Sequence, residues 1–174
     1  MTPNDTSPLF LNIAVLTVSD SRDLAQDKSG DALAEMLQRD GHLLVERQIV
    51  RDDLPSIQAI VKNWILDKEI DVVLTTGGTG LTGRDVTPEA LEPLFEKTIP
   101  GFGELFRMLS YQKIGPSTIQ SRALAGVAQG TFIFALPGST SACRDAWEMI
   151  LHHQFDSRSK PCSFSSLIPR LTEK

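Results

Sequence analysis

Between Val72 and Phe95 the chain reads VVLTTGGTGLTGRDVTPEALEPLF. Gly77, Gly78, Gly80 and Gly83 follow an apolar, β-branched run, and Asp85 stands two residues further on. Glycines just past a strand let backbone N–H groups approach an anion closely, so such a loop can form a nest for phosphate. Thr76 and Thr79 can add hydroxyl donors. Asp85 has two readings. It is either a loop residue that satisfies nearby backbone donors, or a Mg²⁺ ligand beside a phosphate, because Mg²⁺ takes one or two carboxylates plus phosphate oxygens. Thr87-Pro88-Glu89 reads as a helix start, with proline suited to the first turn and threonine able to cap it.

Other residues could join this chemistry. Asp52 and Asp53 precede a helix with Pro55 in its first turn, so one is expected to cap it while the other can face the glycine loop. Asp20 has the same double reading. Ser139 and Ser141 are expected to cap the last helix, although a helix N-terminus after a strand is also an anion site. His42, His152 and His153 show no ligand spacing and read as surface or packing residues. Cys143 and Cys162 are too few for a disulfide framework and lack metal spacing, so both read as inert thiols. No Ser-His-Asp or Cys-His arrangement is recognisable.

Gly78 to Gly83 formally match G-x-G-x-x-G. That motif should open the first strand–helix unit and run straight into a helix. Here it follows the third strand, and Arg84 to Pro88 delay the helix. A P-loop fails as well, because no lysine follows the glycines.

The elements that position these residues can be read from periodicity. NIAVLTVSD (12–20) is an apolar run expected for a strand buried on both faces. A helix over 31–40, stopped by Gly41, leads to a second strand over 42–50. Ile57, Ile60, Val61, Trp64 and Ile65 lie on one face of a helix within 52–69, and DVVLTT (71–76) is the third strand. Helices are predicted over 87–97, 101–112 and 117–127, then a buried strand over 131–137 and a closing helix from Ser139 to Phe155. The segment from Asp156 has no clear period. Strand–helix alternation of this kind predicts an α/β fold, an open and mainly parallel sheet with helices on both faces. Ligands bind such sheets at the C-terminal strand ends, which brings together TVSDSRD, TTGGTGLTGRD and LPGSTSA.

At 174 residues the chain suits one domain over 11–174 behind a loose tail at 1–10. Hydrophobic residues at 41% and charged residues at 22% are the balance of an ordinary globular protein. A net charge of −5 argues against nucleic acid held on a basic face, yet allows a small anion in a local pocket. The N-terminus has no basic region or apolar core, and no run approaches a membrane span, so a reducing cytoplasm is the expected location.

Together with LTVSDSR, SGDALAEML, IVRDD, PGFGELFRMLS, STIQSRALAGV and FALPGSTSACRDAW, the segment TTGGTGLTGRDVTPEAL resembles the MoaB/Mog family of molybdenum cofactor biosynthesis. The resemblance spans roughly residues 10 to 165, with the motifs in the family's order. It implies a three-layer α/β/α fold that binds molybdopterin and assembles as a trimer or hexamer. Adenylyltransferase members join molybdopterin's terminal phosphate to AMP from Mg-ATP and release pyrophosphate. Carried over by motif, the resemblance implies that Gly77, Gly78, Thr79 and Gly80 form the phosphate loop. It places Asp85 and Asp52 as the catalytic, Mg²⁺-binding acids. Asp52 stands here in RDD, without the proline usual at that point. Ser19, Asp20, Thr87, Pro88, Glu89, Ser121, Arg122, Pro137, Gly138 and Ser139 would line the same pocket. PGFGELFRMLS, STIQSRALAGVAQGTFIFALPGST and RSKPCSF resemble the MoaB-like branch, in which some members bind pterin without adenylylation. Three readings follow: a Mg-ATP-dependent molybdopterin adenylyltransferase, a molybdopterin-binding module without catalysis, and an oligomeric scaffold for other cofactor-synthesis proteins.

Overall fold

The computed structural model describes residues 7–173. Of the expected N-terminal tail, residues 1–6 lie outside the described residues, and 7–11 carry no regular secondary structure. Six strands make one sheet in the order β2-β1-β3-β6-β5-β4. β1 (Asn12–Val18), β2 (Leu43–Val50), β3 (Val72–Thr76) and β6 (Thr131–Leu136) run parallel. β5 (Leu124–Ala128) and β4 (Lys97–Thr98) extend the sheet in antiparallel fashion. The expected mainly parallel sheet is what the chain builds.

Side-chain alternation divides the interior into two layers. Ile13, Val15, Val72, Leu74, Phe132 and Phe134 pack beneath α1 (Lys28–Arg39), α4 (Pro100–Ile114) and α5 (Thr140–Ala146). Ala14, Leu16, Val18, Val73, Ile133 and Ala135 pack on the other face against α2 (Leu54–Leu66) and α3 (Thr87–Leu91). All of β3 and β6 is buried, which explains their continuous apolar or β-branched sequences. After α5 a π-helical turn (Trp147–Leu151) and α6 (His152–Phe155) complete the closing helix. No helix among the described residues is long and apolar enough to cross a membrane.

Two expectations are corrected. The segment 117–127 is not a helix: a 3₁₀ turn occupies Gly115–Gln120, and Leu124–Ala128 is β5. Its small residues serve the sheet, because the Phe95 ring lies 2.3 Å from where a Gly126 Cβ would stand. Gln129 and Gly130, both at positive φ, close a two-residue turn into β6. The helix expected over 87–97 stops at Leu91, passes through a 3₁₀ turn and gives way to β4. The aperiodic C-terminal segment holds α7 (Phe164–Leu167), opened by a Ser163/Ser166 capping box. One ring anchors it, Phe164 lying 4.9 Å from Phe132 between centroids.

The histidines divide between surface and packing: His153 is exposed, and His152 is half-buried beside Asp40. His42 is buried, accepts from the Leu11 N–H through Nδ1, and meets Trp147 and Phe155 edge-on. Cys143 is buried and its thiol is pushed up to about 11, chiefly by burial. It is therefore an unreactive thiol at neutral pH.

Candidate functional site

Each parallel strand ends at one cavity. Ser19 to Arg22 follow β1, Asp52 follows β2, Gly77 to Gly80 follow β3, and Pro137-Gly138 follow β6. These residues, with Asp85, Gln120 and Ser121, line a cavity of about 530 Å³. The three loops expected to meet at the C-terminal strand ends do so.

Local geometry explains the glycines. Gly77 has φ +103°, and a Cβ there would stand 2.1 Å from the Val18 carbonyl oxygen. Gly78 has φ +65°, with the Thr87 hydroxyl and an Asp52 carboxylate oxygen 2.3 and 2.9 Å from its Cβ position. At Gly80 the neighbour is the Asp85 carboxylate, 2.8 Å away, and at Gly138 it is the Gly77 Cα, 3.2 Å away. Gly83 has open space around it. The first three glycines of the loop therefore let strand ends and two carboxylates close together. The fourth does not.

Asp85 does the loop work considered for it. Its Oδ2 accepts from the Thr82 N–H at 2.9 Å and the Thr82 hydroxyl at 2.6 Å. The Thr82 hydroxyl in particular lowers its pKa. Asp53 caps α2 by accepting from the Ser56 N–H, which leaves Asp52 to the cavity. Burial, followed by the nearby charges of Asp20 and Asp85, raises the Asp52 pKa. Asp52 forms no ion pair among the described residues. Asp20 acts as a clasp: it accepts two hydrogen bonds from Arg84, at 2.9 and 2.7 Å, and a third from the Asp52 N–H.

A divalent cation fits this arrangement. Asp52 and Asp85 flank the glycine loop, and Asp52 forms no ion pair among the described residues, the nearby Arg84 being held by Asp20. Among the described residues no group of three or more His, Cys, Asp or Glu could hold a metal. Mg²⁺ needs no such cage, since one or two carboxylates suffice when substrate phosphates and water complete the shell.

The remaining expected residues divide. Thr87 is buried and does not cap α3; Val86 occupies that position, and the Thr87 hydroxyl donates to the Gly77 carbonyl. Thr76 is also buried, its hydroxyl donating to the Pro137 carbonyl, so it offers nothing to an anion. Arg122 braces the loop from behind, through the Gly80 and Asp85 carbonyls, and pairs with Glu89. Pro88, Glu89 and Arg122 line a neighbouring hollow rather than the cavity itself. Ser139 caps α5 by accepting from the Ala142 N–H, whereas Ser141 caps nothing. Arg22, Ser21 and Gln120 line the cavity without having been singled out. The polar loop after β1 was the available signal for Arg22.

Ser121 carries a buried hydroxyl with no hydrogen-bond partner. Leaving such a group unmade costs about 1–3 kcal/mol. Ser121→Ala is therefore expected to keep or raise the melting temperature of the ligand-free protein. A fall of several degrees in thermal denaturation would show the hydroxyl already satisfied.

Comparison with known proteins agrees with this architecture. Residues 14–157 match the family described as "Probable molybdopterin binding domain". The chain is 54% identical over 152 residues to molybdenum cofactor biosynthesis protein B of Escherichia coli K12, covering 87% of this chain and 89% of that one. The protein of the same name from Bacillus subtilis is 44% identical over 83% of this chain and 86% of its own. A crystal structure of a molybdenum cofactor biosynthesis protein B superposes with a TM-score of 0.81 at 44% identity, covering 83% of this chain and 91% of that one. The tungsten cofactor synthesizing protein MoaB from Pyrococcus furiosus gives 0.76 at 38% identity, covering 86% and 95%. With most of its length matched, the chain belongs to the MoaB/Mog family of molybdenum cofactor biosynthesis proteins.

Proposed function

We propose that the cavity binds molybdopterin and Mg-ATP and transfers AMP to the terminal phosphate of molybdopterin. A phosphate oxygen would attack the α-phosphorus of ATP, the bond from that phosphorus to the β-phosphate bridging oxygen would break, and pyrophosphate would leave. The observation that carries this reading is one cavity holding a glycine loop together with two carboxylates, one of which, Asp52, forms no ion pair among the described residues and has a raised pKa.

A phosphate monoester is already anionic at neutral pH and needs little help from a general base. That suits a site whose lining contains no histidine or cysteine. Catalysis rests instead on positioning and charge neutralisation. Asp52 and Asp85 would hold Mg²⁺, which when bound neutralises charge on the phosphates. Backbone N–H groups of Gly78 and Thr79 would receive phosphate oxygens, the Gly77 N–H being held by the Leu136 carbonyl, with Ser19, Thr79 and Ser121 adding hydroxyls. Asp20 shapes the pocket through its clasp on Arg84, and Pro137-Gly138 form the opposite wall.

A second reading, binding without transfer, draws on Asp85. Its carboxylate already serves Thr82, so one of the two metal ligands has a structural task. Incubating the protein with molybdopterin and ATP, with and without Mg²⁺, separates the two. Adenylylated pterin that forms only with the metal is the expected result. Bound molybdopterin without pyrophosphate release would move the chain to the binding reading.

The same proposal treats 11–174 as one domain and expects self-association. Leu105, Met108 and Tyr111 are exposed on α4, and Ile119 beyond it is 82% exposed. Apolar side chains gathered in this way suit a surface covered by further copies.

A further inference from the structure

We propose that Arg22 is the cation that grips a phosphoryl group of the ligand in this cavity, with Ser29 as its positioning residue. The inference rests on the phosphate-ligand reading of the site and adds a residue to it. Of the other arginines around the loops, Arg51 is exposed and does not line the cavity, and two are committed elsewhere. Arg84 is paired with Asp20 through two hydrogen bonds, and Arg122 is paired with Glu89 and turned to the Gly80 and Asp85 carbonyls. Arg22 lines the cavity and forms no ion pair among the described residues.

Its two side-chain contacts are neutral oxygens, both made through Nη1: the Ser29 hydroxyl at 2.9 Å and the Gly138 carbonyl at 3.2 Å. Nε and Nη2 make no hydrogen bond among the described residues. A guanidinium presents five donors in a fixed fork, so one nitrogen can anchor the group while the others meet an anion.

The anchor is well supported. Ser29 is fully buried and donates to Asp27 at 3.3 Å. Asp27, also fully buried, accepts from Thr17 and Arg47 at 2.8 Å each and from the Gly30 N–H at 3.0 Å. Burial opposes its charge, but these hydrogen bonds lower its pKa overall. Arg47, which does not line the cavity, balances that charge through an ion pair, so Arg22 keeps its own for a ligand. The backbone is set as well, with the N–H groups of Ser21 and Arg22 both donating to the Ser19 hydroxyl. Charge accounting gives the same assignment. Once Asp20 cancels Arg84, the lining retains Asp52 and Asp85, and Arg22 is the cation left to attract an anion directly.

The phosphoryl group could belong to a polyphosphate or to a monoester, and two probes separate them. Titration calorimetry of the full chain with inorganic pyrophosphate and with inorganic phosphate, magnesium chloride present, is repeated at several salt concentrations. Arg22→Gln is expected to weaken at least one anion about 10-fold or more and to flatten the salt dependence of that binding. Arg22→Lys keeps the charge without the fork and is expected to fall between. Ser29→Ala, which leaves the charge but loosens it, is expected to cost about 3-fold.

Loss confined to pyrophosphate assigns Arg22 to a polyphosphate, and loss confined to phosphate assigns it to a monoester. Lys68→Gln removes a charge remote from the cavity and serves as the control. Wild-type affinity and salt slope in Arg22→Gln for both anions would overturn the proposal. So would an equal loss in Lys68→Gln, or a wild-type protein that binds neither probe. Because binding is read without turnover, failure of AMP transfer leaves Arg22 standing, and failure of Arg22 leaves AMP transfer standing.

Discussion

Gly77→Ala is expected to lower stability by about 3 kcal/mol or more, and the melting temperature by roughly 10 °C. Two penalties combine. An alanine at φ +103° occupies backbone space that L side chains rarely adopt, and its Cβ would lie 2.1 Å from the Val18 carbonyl oxygen. That oxygen belongs to the last residue of β1, and the next N–H is tied to Val50 at 2.8 Å, so little can give way. The Gly77 N–H is itself bonded to the Leu136 carbonyl at 3.0 Å. Any shift therefore opens the β3 and β6 ends together. Gly83→Ala, with nothing within 4 Å of its Cβ, should change stability by no more than about 0.5 kcal/mol. Thermal denaturation of the two variants side by side is the check. Equal melting temperatures would mean that the close approach of the glycine loop to β1 is wrong.

Asp52→Asn and Asp85→Asn are expected to reduce AMP transfer in the same direction, each by about 100-fold or more, while moving stability in opposite directions. Asp52 is half-buried beside two other carboxylates, and its pKa is raised. A carboxyl with a raised folded pKa costs stability while ionised, and the cost is relieved as pH falls through that pKa. Asparagine removes the charge, so the ligand-free variant should melt slightly higher at neutral pH, by on the order of 0.5 kcal/mol. The advantage should fade as pH falls through the raised pKa. Cation binding by the wild type should fade over the same interval, at higher pH than an ordinary aspartate would give.

Asp85 has the reverse sign. Hydrogen bonds from Thr82 lower its pKa, so its contribution is present above the unfolded value and lost as pH falls through the folded one. Asp85→Asn should therefore melt lower at neutral pH, because the bonds from Thr82 lose their charge assistance. Melting curves over pH, run beside pyrophosphate-release assays, test both halves. A stabilised Asp85→Asn, or full turnover in either variant, would separate these acids from the roles assigned to them.

Much of the site was legible in the sequence because its residues sit next to strand ends. Apolar runs located β1, β3 and β6, and the residues just after each run became the cavity wall. The capping argument for Asp52 and Asp53 worked because Pro55 placed the helix start. What escaped depended on contacts distant in the chain. The segment 117–127 read as helical, yet from Leu124 it is a strand whose Gly126 makes room for Phe95. Thr87 looked like a cap, but the tight turn at Gly77 draws its hydroxyl to that carbonyl. Arg22 drew no notice because its meaning comes from Ser29 and Gly138, seven and 116 residues away.

The central claim is that nucleotide phosphate and divalent cation meet on the loops after β1, β2 and β3. Backbone-amide NMR of the isotope-labelled protein during titration with Mg-ATP tests it most directly. The expected result is that the largest shifts fall on Ser19 to Arg22, Asp52, Gly77 to Gly80 and Gly138, and shrink in Asp52→Asn. Shifts centred on the neighbouring hollow of Pro88, Glu89 and Arg122, or no saturable shift at the glycine loop, would contradict it.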